Sequence, residues 1–572
     1  MLPAVAVGAL AAACFLPALS GSFLNWDDDV NFRQNPSYRG VGVAPIRWAF
    51  TSVLFGHYIP LTRLTFSLNY FLGGMDPWGY HLLNVLLHGV NVGLFYLVAR
   101  RLLAAAVSVD GDGQRKRVLG AGAMVAALVF GLHPLRVEPV AWVTGRADLL
   151  CAMFVLLSTL AYLRAVESPG TARGGRMVVC AAGFAAAILS KGSALPFPAA
   201  LVLLDVYPLR RVGRLGWRSL VKEKTLLVGV AAVGAAVVAY ATRRGAVVTG
   251  TADYDVIARF TVAAYAFVIS PVRFVWPAAL SPLYEMPLHV TPLEPRFGLA
   301  VGVAIVVTAV LIVVRRRWPG GLAAWAFSAL MLAPLCTVVR KTTDLAPDRY
   351  SYVAGLGFAL LAGGVVIGLT RLVERGVLTR RVAWLATAAG VAVIGGLAAT
   401  SWGAAQMWSE PEILWRWAVE LDPNCSVCHS KLGEAILGDP AQPLRAAEAE
   451  NLFRRAIGLR PDRPHAYFNL GTALIVQGRY AEAETPLRNY MDRIPRSAIG
   501  PERLGRAYLL QRRYEAAIPL LRTALTRQPD LPGLRAHLGE ALKGRARELQ
   551  AIGLVAEAAP LLAESRALGS AN

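Results

Sequence analysis

The sequence predicts an all-α protein: a polytopic bundle of membrane helices followed by an α-solenoid. Three observations carry that prediction. The 572 residues are 55% hydrophobic and only 17% charged, with a mean hydropathy of +0.47, too apolar for an ordinary water-soluble domain. About eleven apolar stretches reach or approach the length needed to cross a bilayer. From about Trp408 the hydropathy drops and a motif recurs every 34 residues. The expected parts are 1–405 and 406–572.

The apolar stretches run over about 2–20, 81–99, 118–135, 148–164, 177–190, 193–207, 225–242, 297–314, 320–337, 350–370 and 382–400. The first lacks a basic lead-in and many others follow it, so it reads as a retained helix and not a signal peptide. The two flanking Lys191 are short. Residues 244–296 are partly apolar but interrupted by Pro271, Arg273 and Pro277. Helices lying on the membrane surface are expected there, a re-entrant hairpin being the alternative.

The formal net charge is +21. Much of the excess sits in four short loops: Arg100 to Arg117, Arg210 to Lys224, Arg315 to Arg317, and Arg371 to Arg381. The positive-inside rule puts all four on one side if the N-terminus is cytoplasmic. The charge then sets topology, and no nucleic-acid partner is needed to explain it. Loops 21–80, 136–147, 244–296 and 338–349 fall outside, with the C-terminal part.

In that C-terminal part Leu470-Gly471, Leu504-Gly505 and Leu538-Gly539 are spaced by 34, as are Pro461, Pro495 and Pro529, and Tyr480 and Tyr514. This pattern resembles the tetratricopeptide (TPR) helix-turn-helix repeat, in which small residues let paired helices approach closely. Leu432-Gly433 precedes Leu470-Gly471 by 38, so that unit carries a four-residue insertion, assigned to the Gly438-Asp439-Pro440 region. Trp415, Ala418 and Pro423 match the second helix of an incomplete earlier unit. Stacked units form a concave groove suited to a protein segment; a purely architectural stalk is the alternative.

Cys14, Cys151, Cys180 and Cys336 lie in or beside apolar stretches and read as packing thiols. Cys425-Ser426-Val427-Cys428-His429 has the form of a c-type haem attachment site. It begins a TPR helix and no second axial ligand is evident. A local disulfide or paired thiols is therefore the first reading, with covalent haem and zinc as alternatives.

Asn25-Trp26-Asp27-Asp28-Asp29 directly follows the first apolar stretch. An Asp at the centre of a membrane helix costs about 2.5–3.5 kcal/mol, so these carboxylates belong at or beyond the interface. The same outer face collects His133, Glu138, Arg146, Asp148, Lys191, Arg340, Lys341, Asp344, Asp348 and Arg349. His81, Asn84, His88 and Asn91 fall on one face of the second span, as expected of helix packing or a cavity wall.

Trp26-Asp27-Asp28 with Asn35-Pro36, Tyr58 to Thr65, His81 to His88, His133-Pro134 through Glu138 to Gly145-Arg146-Ala147-Asp148, Ser190-Lys191 and Asp348-Arg349-Tyr350-Ser351-Tyr352 together resemble the GT-C membrane glycosyltransferases. More closely, the chain is similar to the transmembrane and TPR repeat-containing protein O-mannosyltransferases and their bacterial relatives. Each motif is weak alone; their order and spacing are fairly specific.

The resemblance implies a polyprenyl-phosphate sugar donor, mannose or another hexose. It also implies a Ser or Thr hydroxyl acceptor on an exported protein, and a carboxylate base in the first outer loop. Asp27 is the first choice for that base and Asp28 the close alternative. Arg349, Lys191, Arg146 and Lys341 are candidates for the donor phosphate, because a departing lipid phosphate needs positive charge more than a proton. His133, Glu138 and Asp148 are candidates for acceptor-site or supporting roles. Asp27, Asp28 and Asp29 could instead hold a divalent ion, or merely cap a surface helix.

The expected setting is a bacterial inner membrane with a cytoplasmic N-terminus and a periplasmic TPR part. Two other functions compete: a non-enzymatic TPR scaffold for an envelope complex, and a GT-C enzyme acting on a polysaccharide or lipid acceptor.

Overall fold

A computed structural model describes residues 1–107, 112–168, 170–245, 254–335, 344–438 and 445–569. The described residues contain no strand, only isolated bridges at Leu54–His57 and Glu285–Asp344. The chain divides into two compact units, Met1–Leu414 and Trp415–Asn572. The helix that ends at Met407 belongs to the first unit, and the division falls within the next helix, Pro411–Leu421.

The first unit contains α1 (Leu2–Cys14), α2 (Val43–Thr51), α3 (Pro60–Gly73), α4 (Pro77–Ala106), α5 (Asp112–Gly131), α6 (Val137–Ala141), α7 (Arg146–Val166), α8 (Gly170–Ser190) and α9 (Phe197–Val206). It continues through α10 (Val212–Glu223), α11 (Thr225–Arg244), α12 (Val256–Val275), α13 (Pro295–Val313), α14 (Pro319–Leu332), α15 (Ser351–Ala354), α16 (Leu356–Glu374) and α17 (Arg380–Met407).

Among the described residues, eight helices are long and apolar enough to cross a membrane, the mark of an integral membrane protein: α4, α7 with its preceding turn, α8, α11, α12, α13, α16 and α17. A ninth candidate is bent by 60° between α5 and Pro134–Ala141. The bend follows from Pro134, which lacks an N–H and forces His133 into extended backbone, with φ −78° and ψ 135°.

The expected stretches 2–20, 193–207 and 320–337 yield helices shorter than a span. α1, for example, has 13 residues and rises only about 20 Å at 1.5 Å per residue. Residues 244–296 hold one helix that is long and apolar enough to span, α12, which runs past Pro271 and stops where Pro277 makes helical backbone at Trp276 unfavourable.

α4 is the axis on which the site is built. Asp76 caps it by accepting from Trp78 N at 3.0 Å, and Pro77 opens it without losing a hydrogen bond. α1 crosses it in backbone contact: a Cβ on Gly8 would lie 2.5 Å from the Gly89 carbonyl oxygen. Only glycine allows that approach.

The second unit is a TPR solenoid. α18 (Pro411–Leu421) precedes the pairs α19 (Ser426–Leu437) with α20 (Ala446–Leu459), α21 (Pro464–Val476) with α22 (Glu484–Arg493), α23 (Ile499–Leu510) with α24 (Tyr514–Arg527), and α25 (Leu534–Ala551) with α26 (Val555–Gly569). The repeated glycines face bulky side chains of the paired helix. A Cβ on Gly433, Gly471 or Gly505 would meet Phe453, Leu487 or Leu521 at 2.6, 2.5 and 2.8 Å.

Those three partners are themselves 34 apart, which puts the four extra residues between Gly433 and Phe453. Asp439 and Pro440, to which the insertion was assigned, lie outside the described residues. The repeated prolines end each second helix by pushing the preceding residue out of helical backbone. Arg460, Ile494 and Gln528 have φ −140°, −128° and −147°.

Cys425 and Cys428 form a disulfide with Cα atoms 5.2 Å apart. Cys425 also caps α19, its sulfur accepting from Cys428 N. With both sulfurs joined, neither is left for a haem thioether or for zinc. The His429 ring hydrogen-bonds the Pro423 carbonyl at 3.0 Å.

Candidate active site

The first outer segment folds back on the bend after α5. Asp28 is fully buried, and both its oxygens are engaged: Leu24 N donates to one at 3.0 Å and the Thr144 hydroxyl to the other at 2.6 Å. Asn31 donates to the same Thr144 oxygen at 3.1 Å. Burial pushes the Asp28 carboxyl up to about 7, against the partial offset of those two donors. Asp29 pairs with Arg33 at 3.3 Å. Asp27 is partly exposed. The Trp26 ring stacks on Trp142 at 4.8 Å between centroids and 19° between planes.

Arg349 stands over this aromatic pair. Its guanidinium carbon lies 5.9 Å from the Trp26 ring, 5.5 Å from Trp142 and 5.4 Å from Tyr350. Glu138 clamps it from both ends, ion-paired with the guanidinium and accepting from Arg349 N at 2.8 Å. Asp344 is 3.8 Å away. Burial opposes the charge on Arg349, but Glu138, Tyr350 and Asp344 together outweigh it and hold the proton more firmly than usual.

Asp348 accepts from Arg273 at 3.1 Å and from the Tyr284 hydroxyl at 3.1 Å. Burial raises both Asp344 and Asp348 to about 7, partly countered by Arg349 and Arg273 respectively. Lys191 lies 5.9 Å from the Tyr350 ring and reaches both oxygens of Asp148 at 2.6 Å.

The polar stripe of α4 is the scaffold beneath. Asn84 donates to the Trp142 carbonyl at 2.9 Å and accepts from Arg146 Nε at 2.8 Å. His88 bridges the Gly131 carbonyl and the Tyr352 hydroxyl at 2.9 and 2.8 Å. Asn91 donates to the Leu149 carbonyl at 2.9 Å. The stripe therefore ties the α5 bend, the start of α7 and the segment after Arg349 to one helix.

The structure thus gathers Asp28, Glu138, Asp148, Lys191 and Arg349 around Trp26, Trp142 and Tyr350. It does not gather Arg146 or His133. Arg146 is fully buried; it donates to Asn69, Asn84 and the Tyr80 carbonyl and lies 4.7 Å over Phe66. Enclosed that way, it is a structural guanidinium and not a phosphate ligand. His133 stacks on Phe274 at 4.7 Å, bonds the Phe274 carbonyl at 2.8 Å and accepts from Leu135 N at 3.2 Å.

Lys341, with Arg340 and Cys336, lies outside the described residues. The Asp27–Asp29 run does not fit a divalent ion, since Asp28 turns inward and Asp29 toward Arg33. Among the described residues no group of three or more His, Cys, Asp or Glu could hold a metal. Thr144, Trp142, Arg273 and Tyr284 were absent from the sequence candidates. Only Trp142, beside Glu138 in the quoted motif, carried a signal.

Tetratricopeptide models match residues 445–498 and 502–533. The chain is similar to protein O-mannosyl-transferase TMTC4 of Mus musculus, 44% identical over 118 residues, 20% of this chain and 16% of that one. TMTC4 of Homo sapiens is 34% identical over 168 residues, 28% and 22% of the two chains. Protein O-mannosyl-transferase tmtc2 of Xenopus laevis is 36% identical over 152 residues, 26% and 16%. The chain spans about a fifth of the length of the curated relatives it matches.

Proposed function

We propose that this chain is a GT-C membrane glycosyltransferase. It moves mannose or another hexose from a polyprenyl-phosphate carrier to Ser or Thr hydroxyls of exported proteins. The relatives' names support protein O-mannosylation. The observation that carries the site is the position of Asp27, which is partly exposed and directly follows Trp26, the ring that lies under the Glu138-clamped Arg349. Its neighbour Asp28 is buried and held by Leu24 N and the Thr144 hydroxyl.

In this reading Asp27 takes the proton of the acceptor hydroxyl as its oxygen attacks the anomeric carbon. The bond from that carbon to the phosphate oxygen breaks, and the polyprenyl phosphate leaves with the electron pair. Attack from the face opposite the leaving group inverts the anomeric centre, as in the GT-C class. The departing phosphate is already an anion and needs a cation, not an acid. Arg349 supplies it, held in place by Glu138, with Lys191 near the Tyr350 ring as the second cation and Lys341 a further candidate.

Asp28 positions the loop through Thr144. Asp148 orients Lys191, and His133 is a structural partner of Phe274. The TPR unit holds the acceptor polypeptide. In this reading the reaction lies outside the cytoplasm, in a bacterium at the periplasmic face of the inner membrane, and the basic loops support that side.

The test is glycoproteomics of exported proteins from cells lacking this chain. The expected result is loss of O-linked hexose from a defined set. Exported proteins keeping every modification while surface polysaccharide changes would shift the acceptor to a glycan, and no change in either would favour the scaffold.

A further inference from the structure

A second buried ion network lies at the other end of the first unit, and the proposed reaction does not use it. α7 begins beside the site at Arg146 and passes Tyr162 sixteen residues later, about 24 Å along at 1.5 Å per residue. There the Tyr162 hydroxyl donates to Asp205 at 2.6 Å. Asp205 is fully buried and ion-paired with Arg211 at 2.8 Å and with Lys224. Arg211 also pairs with Glu223 at 2.8 Å, and Glu223 with Arg173.

Arg211 and Lys224 stand immediately before and after α10, so one carboxylate clamps both ends of that helix. α11, a helix of spanning length, starts at the next residue, Thr225. α10 is therefore fixed where the bundle meets the membrane surface, at the end away from the candidate site.

Its outward face is amphipathic. Leu215, Trp217 and Val221 are 42%, 54% and 59% exposed. Arg210, Arg214, Arg218 and Lys222 are exposed as well. No ion pair engages any of these four among the described residues. α10 breaks at Gly216, whose backbone is non-helical with φ 71° and ψ 158°; beyond that break Trp217 and Val221 are four apart, as are Arg218 and Lys222, so an apolar ridge and a cationic ridge run side by side. The nearby acids, Asp205 and Glu223, are turned into the buried network, which leaves the outer face without negative charge.

We propose that α10 is a docking face for anionic phospholipid. Trp217 and Val221 enter the boundary between headgroups and acyl chains, while Arg214, Arg218 and Lys222 take the headgroup phosphates. The clamp orders the helix beforehand, so lipid binding does not have to supply that ordering.

The full chain is reconstituted in phosphatidylcholine vesicles containing equal mole fractions of either dibrominated phosphatidylglycerol or dibrominated phosphatidylcholine. Subtracting the quenching of W217F from that of the unaltered chain isolates Trp217. The Trp217 signal should be quenched more by the brominated phosphatidylglycerol. High salt should erase that preference, and so should R214Q/R218Q/K222Q, each lost charge reducing local enrichment by up to about fivefold.

Thermal unfolding of the triple variant, expected unchanged because none of the three joins the Asp205 network, keeps the readout interpretable. Equal quenching by both lipids would overturn charge recognition, leaving only an interfacial helix. No quenching by either would show that the face meets protein instead of lipid.

Discussion

The two buried ion networks of the membrane unit sit at opposite ends of α7 and are built differently. Around Asp205, Tyr162, Arg211 and Lys224 converge on one carboxylate, and Arg211 is shared with Glu223. With Arg173 on Glu223, three cations serve two carboxylates. Around Arg349, three carboxylates (Glu138, Asp344 and Asp348) share two guanidinium groups, Arg349 and Arg273. That network is roofed by Trp26 and Tyr350, both only partly buried. The first network holds chain segments together. The second holds a cation still at an aromatic surface, and burial there raises Asp344 and Asp348 against the partial offset of Arg349 and Arg273. A buried charge cluster by itself therefore does not mark a site; the balance of charge and the open side do.

The largest expected effect follows from breaking the closed network. Removing one partner of a buried ion pair costs about 3–5 kcal/mol, so Asp205→Asn, leaving Arg211 and Lys224 facing each other, should lower the melting temperature of the detergent-solubilised chain sharply. A melt close to that of the unaltered chain would mean the network is not structural.

A smaller effect should follow at the open network. Glu138→Gln keeps the shape but releases Arg349, and loss of one charge-assisted contact is worth about 1.5–3 kcal/mol. The donor KM should rise while the acceptor KM stays near its original value, and the melting temperature should fall less than in Asp205→Asn, since Arg349 keeps Asp344 nearby. Equal shifts in both KM values would place Glu138 outside the donor side.

A further expected effect is on pH dependence. Asp28, Asp344 and Asp348 rise from 3.8 to about 7 on burial. Between those values the folded chain binds more protons than the unfolded one, so stability falls as pH rises through that window and levels off above it. Melting temperatures should decline from about pH 5 to pH 7 and then flatten, with a shallower decline in Asp348→Asn. A rise over that range would contradict the burial of these groups.

The same contrast explains what was legible in the sequence. The TPR unit was readable because its cause is local and periodic: Gly433, Gly471 and Gly505 admit Phe453, Leu487 and Leu521, and prolines end the second helices. The membrane helices were readable from hydropathy except where proline set their length. Of the three interruptions in 244–296, α12 runs through Pro271 and Arg273 and stops before Pro277. Within the site, the Asp27–Asp29 run, Glu138, Lys191 and Arg349 stood out as polar residues in loops between apolar stretches.

Their partners did not stand out. Thr144 meets Asp28 across 116 residues and Arg349 meets Glu138 across 211, and no spacing rule reports such pairings. Arg146 misled because a guanidinium in an outer loop looks like a ligand until Asn69, Asn84 and the Tyr80 carbonyl are found enclosing it.

The most direct test of the central claim compares Asp27→Asn and Asp28→Asn in one sugar-transfer assay, using polyprenyl-phosphate mannose and an exported-protein acceptor. With Asp27 as base, Asp27→Asn loses about 10²–10⁴-fold in kcat with the fold intact. Asp28→Asn, whose side-chain amide can still accept from Leu24 N and donate to the Thr144 oxygen, retains most of the activity. Transfer surviving in Asp27→Asn but lost in Asp28→Asn would move the base to Asp28, and transfer surviving in both would contradict a catalytic carboxylate in this loop.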